Sequence, residues 1–85
     1  MIPLYGFVEG DTLGLLVLAE DDDTIAEVAA KLVRSASVRV RPRPGLVVYH
    51  GGRALDGERT VAATGLSALD RIDVRMPAPE PEDRT

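Results

Sequence analysis

The sequence has no cysteine and no tryptophan, and it holds one histidine, one phenylalanine and two tyrosines. Without cysteine there is no disulfide framework, no thiolate metal site and no cysteine nucleophile. The lone His50 has no second histidine or cysteine to share a metal with, so it reads as an exposed turn residue rather than a ligand or general base. No run approaches the roughly 20 apolar residues that a membrane span requires. Met1-Ile2-Pro3-Leu4-Tyr5 lacks the basic flank and long apolar region of a secretion signal. An excess of positive charge is also missing. Ten Lys and Arg against fourteen Asp and Glu leave a net charge of −4, which disfavours nucleic acid and anionic membrane surfaces as partners. General acid–base chemistry would fall to carboxylates in a chain with little room to enclose a pocket. These absences argue against an independent enzyme and for a small cytoplasmic domain without metal or cofactor.

What is present is a helix that carries its own start signal. Thr24 followed three residues later by Glu27 is a capping box, in which each side chain satisfies the other's backbone N–H. Ile25, Val28, Ala29, Leu32, Val33 and Ala36 then build one apolar stripe, which must lie on something. The acidic run Glu20-Asp21-Asp22-Asp23 could bind a hard cation, but no EF-hand spacing follows. Acidic residues at the positive end of a helix near Thr24 are the simpler reading.

Strand-like runs supply the rest. Ile2, Leu4, Phe7 and Val8 open the chain, and Glu9-Gly10-Asp11 turns it. Leu13 and Leu15 to Leu18 form a second strand whose continuous apolar run predicts a central place in the sheet. Leu46 to Tyr49 is a third, followed by a Gly51-Gly52 turn and a short strand at Ala54-Leu55. Thr60 to Gly65 has room for one helical turn, with Gly65 as its left-handed stop. Ile72, Val74 and Met76 alternate as a last strand with one buried face. Gly51-Gly52 resembles a modifier's tail, but it is internal, and conjugation needs a terminal glycine. One domain is expected over residues 1–76, with an acidic, proline-rich, disordered tail at 77–85.

After the helix, Ser37 to Gly45 is expected to run extended, because Pro42 and Pro44 bias their neighbours away from helix. Arg39, Arg41 and Arg43 then share one face. That face is either a solvated loop balancing the acids or a docking surface for an acidic partner. Nucleic acid ranks below both, since no aromatics interleave with the arginines.

The element order resembles the β-grasp, ubiquitin-like α+β fold, a mixed sheet of four to five strands packed on one helix. The residues carrying this are Asp23-Thr24-Ile25 with Val28 and Lys31-Leu32, Leu46 to Gly51, Leu55-Asp56-Gly57, and Gly65-Leu66 before Ile72 and Val74. A narrower resemblance is to the toluene monooxygenase system protein B family, gamma subunits of bacterial multicomponent di-iron monooxygenases. It rests on Phe7, Glu9-Gly10-Asp11, Asp23-Thr24, Val28-Ala29, Lys31, Arg39-Val40, Pro42, Pro44-Gly45, Gly65-Leu66 and Ile72-Asp73-Val74. The resemblance implies a non-catalytic structural subunit that supports assembly of the hydroxylase. The hydroxylase's large and small subunits are then the partners, and the iron is held by Glu-x-x-His motifs that this sequence lacks. Arg39, Arg41 and Arg43 are the expected interface, with Tyr5 and Tyr49 as aromatic anchors. The fold alone would equally permit a stand-alone ubiquitin-like interaction module, such as a secretion-system accessory.

Overall fold

A computed structural model describes residues 1–77. The expected disordered tail, apart from Pro77, lies outside the described residues. Two strands, β1 (Ile2–Val8) and β2 (Gly14–Ala19), are followed by α1 (Ile25–Ala36). The chain continues through β3 (Val47–His50), β4 (Arg53–Ala54), the short α2 (Val61–Thr64) and β5 (Arg71–Arg75). The sheet order is β2-β1-β5-β3-β4, with β1 and β5 parallel and the other pairs antiparallel.

The capping box forms as the sequence predicts. The Glu27 N–H donates to Thr24 Oγ1 at 3.1 Å, and the Thr24 N–H donates to Glu27 Oε1 at 2.8 Å. The helix thus begun turns Ile25, Val28, Leu32 and Ala36 into the core, and Lys31 reaches back to Asp23 at 2.9 Å. On the sheet, Leu4, Val8, Val17, Ala19, Val48, Ile72 and Val74 meet this stripe and are buried. A strand shows alternate side chains to opposite faces, so their neighbours in sequence necessarily point away from α1. At the β3–β4 hairpin both Gly51 (φ 60°) and Gly52 (φ 81°) take the left-handed backbone that a two-residue turn of this kind demands.

Three sequence expectations are corrected. β2 is an edge strand, not a central one, because β5 pairs with β1 on its other side. Its continuous apolar run therefore leaves Leu16 and Leu18 exposed. The segment after α1 does not run extended from Ser37. The N–H groups of Arg39 and Val40 both donate to the Ala36 carbonyl at 2.9 Å, which winds a further turn before the chain opens out at Arg41. Met76 lies exposed just past β5, so the buried face of that strand is Ile72 and Val74.

Candidate functional site

The outer face of the sheet, opposite α1, is where the fold leaves chemistry exposed. The β1–β2 register sets Tyr5 against Leu16 and Pro3 against Leu18, and the β1–β5 register sets Tyr5 beside Arg71 and Phe7 beside Asp73. Large apolar side chains stay in solvent here: Leu16 is 62% exposed, Leu18 54% and Tyr5 47%. Leu69 adjoins them, its N–H donating to the Pro3 carbonyl at 2.7 Å, and it too is 62% exposed.

Toward β5 and β3 the face becomes cationic. The Arg71 guanidinium stands 4.1 Å from the centre of the Phe7 ring, and Arg75 stands 4.2 Å from that of Tyr49. Each such stack contributes about 0.5–1 kcal/mol at an exposed site. Arg71 also pairs with Asp73 at 3.0 Å. Gly14 makes room for this layer, since a Cβ there would come within 2.7 Å of Phe7 Cζ.

The three arginines singled out in the sequence differ in their immediate partners. Arg39 grips Asp11 with Nε at 2.9 Å and Nη2 at 2.8 Å, and Arg43 Nη2 reaches Glu9 at 2.8 Å. Both pairs tie the segment after α1 to the β1–β2 turn, 28 and 34 residues away in sequence. Arg41 is exposed and makes no hydrogen bond or ion pair among the described residues. Of the two tyrosines, Tyr5 is accessible and Tyr49 is buried beneath Arg75. The sequence reading missed Leu16, Leu18 and Leu69. The only local signal was Leu69 standing alone between Ala68 and Asp70.

The Arg39 hydrogen bond holds the Asp11 carboxyl below its ordinary value of 3.8, and Asp11 raises Arg39 in return. Glu9 lies below its ordinary 4.5, first because it accepts the Met76 N–H and then through Arg43. Asp23 is lowered by the Glu20 N–H and then by Lys31. A depressed carboxyl contributes stability that is present above its unfolded value and lost as pH falls through its folded value. The urea midpoint, followed by circular dichroism, is therefore expected to hold from neutral pH to about 5 and to drop below about 4. Asp11→Asn should begin lower at neutral pH and lose less on acidification. A parallel pair of curves would remove the Asp11 contact from this account.

Two open clefts accompany these features. One, of about 280 Å³, has His50, Arg53, Asp56 and Arg59 in its lining, with His50 Nε2 3.5 Å from Asp70 Oδ2 nearby. The other, about 360 Å³, is bordered by Glu9, Asp11, Arg71, Asp73 and Arg75. Among the described residues no three His, Cys, Asp or Glu side chains converge to hold a metal ion. No helix among them is long and apolar enough to cross a membrane.

Comparison with known proteins gives this geometry a setting. No curated protein matches the sequence significantly. Among solved structures, a chain in "Toluene 4 monooxygenase HD Complex with Inhibitor 4-Bromobenzoate" superposes with a TM-score of 0.82 at 29% identity, covering 89% of this chain and 98% of that one. Caldiarchaeum subterraneum ubiquitin superposes with a TM-score of 0.71 at 16% identity, over 94% of this chain and 98% of its own. A chain in "Molecular Mimicry of SUMO promotes DNA repair" does so at 0.72 and 19% identity, over 86% and 88%. These last two establish the ubiquitin-like fold and nothing more. Residues 1–76 match the family described as toluene-4-monooxygenase system protein B. With nearly the whole described chain inside that match, the protein belongs to the toluene-4-monooxygenase system protein B family.

Proposed function

We propose that this protein is a non-catalytic, cytoplasmic structural subunit of a di-iron hydrocarbon monooxygenase hydroxylase, docked on its large and small subunits and supporting their assembly. The family match over residues 1–76 carries this reading. It is supported by a likeness extending over 98% of the corresponding chain in a toluene 4-monooxygenase structure. A residue set with one histidine and no cysteine leaves the oxidation chemistry to a partner. The stand-alone interaction module draws support from the fold alone. Within the sequence-predicted interface, Tyr5, Arg39, Arg41 and Arg43 are accessible, and Arg41 alone of the arginines has no acidic partner among the described residues. Arg39 and Arg43 shape the loop that presents Arg41, and Tyr49 supports the sheet face from below.

The test is affinity purification of the tagged protein from its host grown on an aromatic hydrocarbon, with mass spectrometry and an iron assay. Stoichiometric recovery of a large, iron-containing subunit bearing Glu-x-x-His motifs is expected. Expression of the tagged chain without such a partner would overturn the proposal, and so would iron bound by the purified chain alone.

A further inference from the structure

The outer sheet face invests in apolar contact that the isolated domain does not use. Leu16, Leu18, Tyr5 and Leu69 lie together by strand register and by the Leu69–Pro3 hydrogen bond, and each keeps about half or more of its surface in water. A contiguous apolar patch of this kind marks an interaction surface far more often than scattered exposed leucines do. Leu69 adds a second, independent sign. Its φ of 66° makes it the non-glycine residue with a left-handed backbone among the described residues. A branched, exposed leucine gains nothing for the core in that conformation, where Asn or Gly would sit more easily.

Charge and edge chemistry indicate what covers the patch. Arg71 and Arg75 stand on the same face and flank Asp73, and the neighbouring Glu9 and Asp11 are already paired with Arg43 and Arg39, so the strip keeps a net positive charge in a chain whose total is −4. The acidic run Glu20–Asp23 lies past the end of β2, in the connection to α1. A face-to-face pair of copies would set the cationic strip against itself, whereas a partner bearing carboxylates would complement it. Strand addition to the β2 edge is also opposed, because Lys31 Nζ already donates to the Leu18 carbonyl at 3.2 Å, and a lysine at an edge deters pairing.

We infer that this face, with Tyr5, Leu16, Leu18 and Leu69 as its apolar centre and Arg71 and Arg75 as its cationic border, is where the large hydroxylase subunit docks. The matching surface of that subunit is an apolar ridge bordered by Asp or Glu side chains. The inference rests on the subunit reading above and names its contact.

The experiment adds the purified chain to hydroxylase prepared without it and measures the dissociation constant. Three forms are compared: wild type, Leu69→Asn, and the double substitution Leu16→Ser with Leu18→Ser. Leu69→Asn removes an exposed side chain from a conformation that asparagine tolerates. Its urea midpoint should equal or exceed the wild-type value while binding weakens about tenfold or more. The double variant should fold and bind about a hundredfold more weakly. Wild-type affinity should fall as salt is raised, through loss of the Arg71 and Arg75 attraction. If wild type binds and both folded variants bind equally well, the face is wrong and the subunit reading stands. If wild type itself does not bind, the subunit reading falls and takes this inference with it. A wild-type dimer in sedimentation that the double variant converts to monomer would assign the face to a second copy and overturn the inference.

Discussion

Leu32→Ala is expected to lower the free energy of unfolding by about 2–5 kcal/mol. Leu32 sits in the third turn of α1, almost completely buried, over the part of β1 where Gly6 leaves a gap. Truncating it removes the transfer energy of its outer carbons and leaves a cavity in the buried cluster it shares with Leu4, Val17 and Ile72, whose strands are fixed by the sheet. A domain of this size holds about 5–15 kcal/mol in total, so the upper part of that range would populate the unfolded state at ambient temperature. Urea denaturation read by circular dichroism checks it, and an unchanged midpoint would mean that the helix packs on another face. The same substitution should leave hydroxylase binding intact in whatever fraction remains folded, because Leu32 lies on the opposite side of the sheet from Leu16 and Leu69.

That opposition separates what the sequence discloses from what it hides. Thr24 with Glu27 and the stripe Ile25, Val28, Leu32 and Ala36 were legible because every partner lies within a few residues, and helical geometry fixes who faces whom. The Gly51-Gly52 turn was legible for the same reason. The place of β2 was not. An unbroken apolar run says that side chains avoid water, but the pairing that decides its place is made by β5, more than fifty residues on. A central place for β2 is the natural reading of that run, and the exposure of Leu16 and Leu18 is instead the best pointer to a partner. Arg39 and Arg43 were legible only in part. Their spacing allows either a loop balancing the acids or a docking face, but not which acids they meet, because Asp11 and Glu9 are distant in sequence and close only once the sheet and helix have docked. Tyr5 was placed on an interface by its type, and the register confirms only that it is exposed. The resemblance to a family supplied the function. The residues alone supplied a small domain with no evident catalytic equipment.

Gly6 offers the second large effect, and one whose sign can be reversed. Gly6 lies mid-sheet between Leu15 of β2 and Ile72 of β5 and is buried. Its φ does not lie in the left-handed region, so space rather than backbone conformation requires glycine here. A Cβ at this position would run into both terminal methyls of Leu32. Gly6→Ala in the otherwise native protein should therefore cost about 1–3 kcal/mol, as α1 lifts or Leu32 leaves its rotamer. In the Leu32→Ala background those methyls are absent. The added methyl then enters the space the leucine vacated, and alanine is also the better residue in a strand interior by about 0.5–1 kcal/mol. The double variant should be at least as stable as Leu32→Ala alone, giving a coupling energy at least as large as the Gly6→Ala loss itself, about 1–3 kcal/mol. Urea midpoints of the four proteins in the cycle measure it directly. Additive losses would show that Gly6 is held by some requirement other than the close approach of α1, and the packing of helix on sheet would have to be redrawn from that residue outward.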